Sequence, residues 1–175
     1  MRIRLILLCL LLALASCGGQ DKPLAELFPG RVESLTLAKV IEGAEAMRAV
    51  DELHGKPIEV EDAAVAAYTV RTDDGVRSEA VVWVARMANA AQAREQAAVM
   101  LEKMLHPLDK DSPFHDPDQF RQGGADVYRF LGMGQVHLVF QKGDLIFWIA
   151  APRAKQAEAD QKGPALFLLD ALLGE

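Results

Sequence analysis

The chain has 175 residues, with 19 Lys and Arg against 25 Asp and Glu, for a formal net charge of −6. An acidic surface offers no electrostatic attraction to nucleic acid or to an anionic bilayer, so nucleic-acid binding is not expected. Its two cysteines, Cys9 and Cys17, fall in the first 17 residues, and no thiol remains beyond them for redox chemistry, covalent catalysis or zinc ligation.

The chain opens with Arg2 and Arg4, then an almost unbroken apolar run from Leu5 to Ala15, then Ser16-Cys17-Gly18-Gly19. A basic start, an apolar core and small residues are the layout of a secretory signal. As a helix the run covers about 17 Å against a hydrocarbon core of ~30 Å, too short for a permanent span. Leu14-Ala15-Ser16-Cys17 resembles the lipobox of bacterial lipoproteins. That resemblance implies cleavage before Cys17, lipidation of Cys17 and a cell-envelope location with the membrane held through the lipid. Two or three acyl chains, at ~0.8 kcal/mol per buried CH₂, anchor a protein firmly. Gly18 rather than Asp after the cysteine implies, in a Gram-negative source, the outer membrane facing the periplasm rather than the inner membrane. Residues 1–16 are thus read as signal peptide, 17–23 as lipidated cysteine and short tether, and 24–175 as one domain. Loss of Arg2 and Arg4 with the signal takes the net charge to −8. A six-residue tether, 18–23, reaches at most ~20 Å.

Phe28-Pro29-Gly30 reads as a turn. Val40, Ala44, Met47 and Val50 recur at helical spacing, which predicts a helix over Lys39–Leu53 stopped by Gly55 and Pro57, with Gly43 marking close packing inside it. Ile58–Val60 reads as a short strand. Val65–Arg71 and Val76–Ala85 read as two strands joined through Asp74-Gly75, a strong hairpin signal. Val81-Val82-Trp83-Val84 is apolar on both faces and belongs in the middle of a sheet. Asn89 offers an N-cap to a helix over Ala90–Leu105, with Ala93, Ala97, Met100 or Leu101, and Met104 as its buried stripe. Residues 107–124 hold three prolines and no periodicity, and read as a long polar loop. Asp126–Leu131, Gln135–Gln141 and Leu145–Ala151 read as strands. Ala154–Leu173 reads as a helix broken at Gly163-Pro164. Segments 81–95 and 146–160 share a strand, a Trp and an Ala/Gln/charged stretch, which suggests two hairpin–helix repeats. The expected fold is α+β, an antiparallel sheet of four to six strands packed against two or three helices.

Chemistry candidates are sparse. His106, Asp109, Asp111, His115, Asp116 and Asp118 share one segment, and His106, His115, Asp116 and Asp118 are the candidates for a divalent metal. Their spacing matches neither His-Glu-x-x-His nor a calcium loop, so a solvated loop is the competing reading. Met133 and His137, with Met100, Met104 and His106, offer soft donors, yet Met at helical spacing usually fills a core. By strand alternation His137 falls opposite Val136, Leu138 and Phe140, which predicts a surface or edge position. Ser34, Ser78 and Ser112 lie outside any Gly-x-Ser-x-Gly element, and Asp51-Glu52 and Glu59, Glu61 and Asp62 read as surface carboxylates. Trp83 and Trp148 read as core.

The run 40–53, with Gly43-Ala44-Glu45, and the run 78–95, with Ala88-Asn89-Ala90-Ala91, resemble a group of uncharacterised bacterial secreted domains over residues 28–173. The group implies no catalytic residues and no cofactor. The expected function is a lipid-anchored envelope protein whose domain binds a protein or a ligand without catalysis. The alternative is a metal-binding protein or metal-dependent enzyme using the segment His106–Asp118.

Overall fold

The computed structural model describes residues 22–55, 57–71, 77–105, 112–153 and 163–174. A short 3-10 helix at Leu24–Leu27 leads into β1 (Arg31–Val32), β2 (Leu35–Glu42), α1 (Gly43–His54), β3 (Asp62–Arg71), β4 (Arg77–Arg86) and α2 (Ala90–Leu105). There follow β5 (Phe114–Gln122), β6 (Ala125–Gly132), β7 (Gln135–Lys142), β8 (Leu145–Pro152) and α3 (Pro164–Leu173). All eight strands form one antiparallel sheet in the order β1-β2-β3-β4-β8-β7-β6-β5. The class is α+β with three helices among the described residues, but the sheet has eight strands where four to six were expected.

Two of the additional strands lie where sequence pattern is weakest. The expected helix over Lys39–Leu53 starts at Gly43, and Lys39–Glu42 instead completes β2, where Val40 and Ile41 suit a pleated strand. Gly43 is the switch: its φ of +61° is a left-handed conformation, and open space surrounds the position a Cβ would take. It therefore serves backbone geometry rather than close packing. The expected polar loop 107–124 contains β5. Proline is tolerated there because β5 is an edge strand, and because the register with β6 slips between His115 and Asp118, where Asp116 turns to a φ of +50°. Ile58–Val60 is not a strand.

Elsewhere the turn chemistry sets the register. Gly123-Gly124 and Met133-Gly134 form two-residue connections with positive φ throughout, the requirement of the tight hairpin turns that match sheet twist. Asn89 Oδ1 accepts from the backbone N–H groups of Ala91 and Gln92, each at 3.0 Å, and so caps α2. Pro164 occupies the first turn of α3, and Gly174, with φ +83°, ends it.

Helices cover both faces of the sheet. On one face, Ala64, Ala66 and Tyr68 of β3, Val82 and Val84 of β4, and Phe147 and Ile149 of β8 pack with Leu168, Leu169 and Leu172 of α3 and with Leu24 and Phe28. Val32 of β1 and Phe120 of β5 join that same core, so the two edges of the sheet converge on α3. The side-chain amide of Gln122 donates to Asp170, and Lys142 Nζ donates to the carbonyls of Leu172 and Leu173 at 3.2 Å each. On the other face, α1 buries Ala46 and Val50 against Ala63 of β3, and α2 buries Ala93, Ala97, Met100 and Leu101 over Phe130, Val139, Ile146 and Trp148.

The sheet is two four-stranded meanders joined at one seam, β4 against β8. At its centre Trp83 pairs directly with Trp148, ring centroids 6.4 Å apart and edge to face. The strand pattern around this pair is symmetric, but α2 and α3 lie on opposite faces, so hairpin–helix repeats do not describe the arrangement. The second segment's stretch at 154–160 lies outside the described residues.

Candidate functional site

The His137 imidazole is 2% exposed, not at the surface or edge as alternation predicts. The alternation is real, but both sheet faces are covered, so a polar residue in β7 has no solvent face to take. Its hydrogen bonds are complete. The Trp148 Nε1–H donates to His137 Nδ1 at 3.2 Å, and His137 Nε2 lies 3.2 Å from the carbonyl oxygen of Gly132. An indole N–H can only donate, so Nδ1 must accept and Nε2 must carry the proton. Burial pushes the imidazole below its ordinary range, against the opposing pull of the Gly132 carbonyl. His137 is thus a neutral, oriented core residue that fixes Trp148.

Phe114 stacks into the same cluster, edge to face with His137 at 5.1 Å and 5.9 Å from Trp148. Gly132 permits this approach. A Cβ there would lie 2.5 Å from the Pro113 carbonyl oxygen and 2.9 Å from Phe114 Cδ1. Gly132 therefore both accepts the His137 bond and admits the start of β5.

Above this cluster the ends of α1 and α2 stand apart, leaving a groove of about 290 Å³. Leu53 and His54 form the α1 wall, Val99, Met100, Lys103 and Met104 the α2 wall, and Trp148 and Phe114 the floor. A cavity of about 20 Å³ continues beneath it to Trp83 and Ile146. Met100, buried over the sheet, and the half-buried Met104 give the groove its apolar side, while Gln96, Lys103 and Ser112 add polar groups to its lining. Val99 remains 41% exposed at its rim. A concave volume of this size with an aromatic floor and a minority of polar groups has the character of a small-molecule site.

His54 Nδ1 lies 2.8 Å from the Val50 carbonyl oxygen, one helical turn back, while His54 Nε2 is buried and has no hydrogen-bond partner among the described residues. Sequence reasoning missed His54. The signal was a His one position before the Gly55 helix stop, where a ring can bond the preceding turn and is held in place.

Of the metal candidates, His115 and Asp116 come together, and Asp118 is engaged by another partner. His115 Nδ1 lies 3.0 Å from Asp116 Oδ2, both exposed on β5. Asp118 is engaged by Arg129 Nη2 at 2.9 Å and by the Gln119 N–H. Among the described residues no group of three or more His, Cys, Asp or Glu gathers at a metal-holding distance. His106, Asp109 and Asp111 lie outside the described residues, as do Cys17 and the rest of 1–21. Met133 is 66% exposed at its hairpin tip, far from a core role. Ser112 lines the groove, whereas Asp51 accepts the Ile58 N–H at 3.0 Å and steadies the segment after α1. No described helix is long and apolar enough to cross a membrane.

Comparison with protein-family models, curated proteins and solved structures finds nothing that matches this chain.

Proposed function

We propose that this chain is a lipid-anchored envelope protein whose domain binds a small apolar ligand in the groove between α1 and α2, without catalysis. The observation that carries the binding role is the groove itself: about 290 Å³, floored by Trp148 and Phe114 and walled by Met100 and Met104. Trp148 is held by His137 from behind, so the floor is preorganised, which lowers the ordering cost of binding. The anchoring role rests on the lipobox-like Leu14-Ala15-Ser16-Cys17.

Binding is tested by titrating the protein with 1-anilinonaphthalene-8-sulfonate. Saturable emission that is lost in Met104→Trp, which fills the groove, supports the reading; emission unchanged by that substitution removes it. Anchoring is tested by palmitate labelling and membrane fractionation of the wild type and Cys17→Ala. Label and membrane association should both disappear in the variant, and equal labelling would sink the location.

A further inference from the structure

We infer that the domain stands on its anchoring bilayer by one end of the sheet, where Asp62, Arg86, Leu145 and Lys142 lie side by side. The opposite end, with the β6–β7 hairpin tip and the Ser112–Phe114 side of the groove, points away from that bilayer. This rests on the lipid anchor at Cys17 proposed above. The deciding observation is where the N-terminal segment is tied down. Arg86 Nη2 donates to the Lys22 carbonyl at 3.0 Å, and Arg86 is the last residue of β4. The Ala25 N–H donates to Glu42 Oε1 at 3.0 Å, and Glu42 is the last residue of β2. From there the chain climbs the α3 face of the sheet. Leu24 and Phe28 are buried in that core, the Tyr68 hydroxyl donates to the Pro29 carbonyl, and Arg31 pairs with Thr36 towards the other end. Lys22 is therefore held at one end of the sheet, and the tether proper runs only from Cys17 to Lys22.

Two lengths set the orientation. Five Cα steps separate Cys17 from Lys22, a reach of at most ~18 Å. β7 and β8 each cross the sheet from the near end to the far end in eight residues, or seven steps, which is ~23 Å. The register aligns Phe114, Gly132, Gln135 and Pro152 across that far end. With the acyl chains of Cys17 in lipid, Lys22 cannot rise far enough for the far end to meet the same surface. The side chains agree with this. Among the described residues the exposed large apolar side chains are Val99, Leu105 and Met133. Met133 caps the far hairpin, and Leu105 ends α2 beyond Met104, which lines the groove with Phe114. The near end exposes Glu42, Glu61 and Lys142 instead. Charged groups without an apolar wedge do not enter the acyl region, so the near end rests at the surface and the lipid alone holds it there. A ligand passing the Ser112–Phe114 side of the groove therefore enters from water.

The test measures energy transfer from the two ends of one strand to the bilayer. With Cys9 lost in the signal and Cys17 acylated, an introduced cysteine is the one thiol that takes a donor fluorophore. Asp126→Cys, near the start of β6, and Met133→Cys, just past its end, are both at exposed positions and seven residues, ~23 Å, apart. Each acylated full chain is reconstituted into phosphatidylcholine vesicles carrying a headgroup-labelled acceptor lipid. Transfer from position 126 should be several-fold stronger than from position 133. Equal transfer, or stronger transfer from position 133, overturns the orientation while leaving the anchor in place. Protein that does not float with the vesicles overturns the anchor and this inference with it. Ten Gly and Ser residues inserted between Asp21 and Lys22 extend the reach to about 50 Å, which outruns the sheet. The insertion should bring the two transfer efficiencies closer together. A difference that the insertion leaves undiminished overturns the assignment of the orientation to tether length.

Discussion

The indole N–H of Trp148 donates to Nδ1 of His137 across 3.2 Å, joining the groove floor to a buried imidazole. The bond exists only while His137 is neutral at that nitrogen. Burial holds its pKa below the ordinary value of 6.5. Above about pH 6.5 neither folded nor unfolded chain binds this proton, and stability is independent of it. Below that, the unfolded chain takes up the proton first, so stability falls as pH drops towards the folded pKa, by at most ~1.4 kcal/mol per pH unit. Urea denaturation across pH 8 to 5 should show a steeper loss in wild type than in His137→Phe. Parallel curves would show that His137 does not control the slope. At pH 8 the same variant should be less stable by about 1–3 kcal/mol, since it leaves the indole N–H unpaired.

Gly132→Ala should destabilise the protein by about 1–3 kcal/mol, the usual cost of forcing extra volume into a packed site. The added Cβ would meet Pro113 backbone at 2.5 Å, and backbone cannot swing aside as a flexible side chain can. Since Phe114 is displaced with it, hydrogen exchange should quicken along β5, and probe binding in the groove should weaken. Unchanged exchange at β5 would refute the link.

Tyr68 is fully buried, and its hydroxyl donates to the Pro29 carbonyl at 3.1 Å. Burial pushes its phenol up to about 12. Spectrophotometric titration should find one of the chain's two tyrosines still un-ionised well above the ordinary value of about 10. Tyr68→Phe should remove that late step and cost ~1 kcal/mol.

Leu169 is fully buried in α3, where the two sheet edges converge. Leu169→Ala should cost about 2–5 kcal/mol in thermal or chemical denaturation. A loss well under 1 kcal/mol would mean that α3 does not hold the edges together.

β6, β7 and β8 were legible because their turns carry explicit chemistry. Gly132 and Gly134 punctuate one reversal and Lys142-Gly143-Asp144 makes the next, and the apolar runs between them leave one choice of pairing. α2 was legible from Asn89 and from the Ala93–Ala97–Leu101 stripe. β2 was hidden because Val40 happens to fall in helical step with Ala44 and Met47, and the left-handed turn at Gly43 has no signature distinct from an ordinary helical glycine. β5 was hidden because an edge strand with a register slip can carry Pro117, Asp116 and His115, residues that argue for a loop. The groove was not legible at all. It depends on how α1 and α2 come to lie beside Phe114 and Trp148 and on a hydrogen bond from His54 to the preceding turn, both products of the folded structure.

The seam between β4 and β8 also has a kinetic meaning. Every other ladder of the sheet joins strands adjacent in sequence, so each meander can zip up from its own turns. The Trp83–Trp148 pairing alone closes a loop of 65 residues, and loop closure is the slow, entropically opposed part of folding. The rate at which this chain folds is therefore expected to turn on one ladder. Truncations at Val82 and Ile149, buried partners beside the tryptophans, should slow folding more than they speed unfolding, whereas Leu169→Ala should do the reverse.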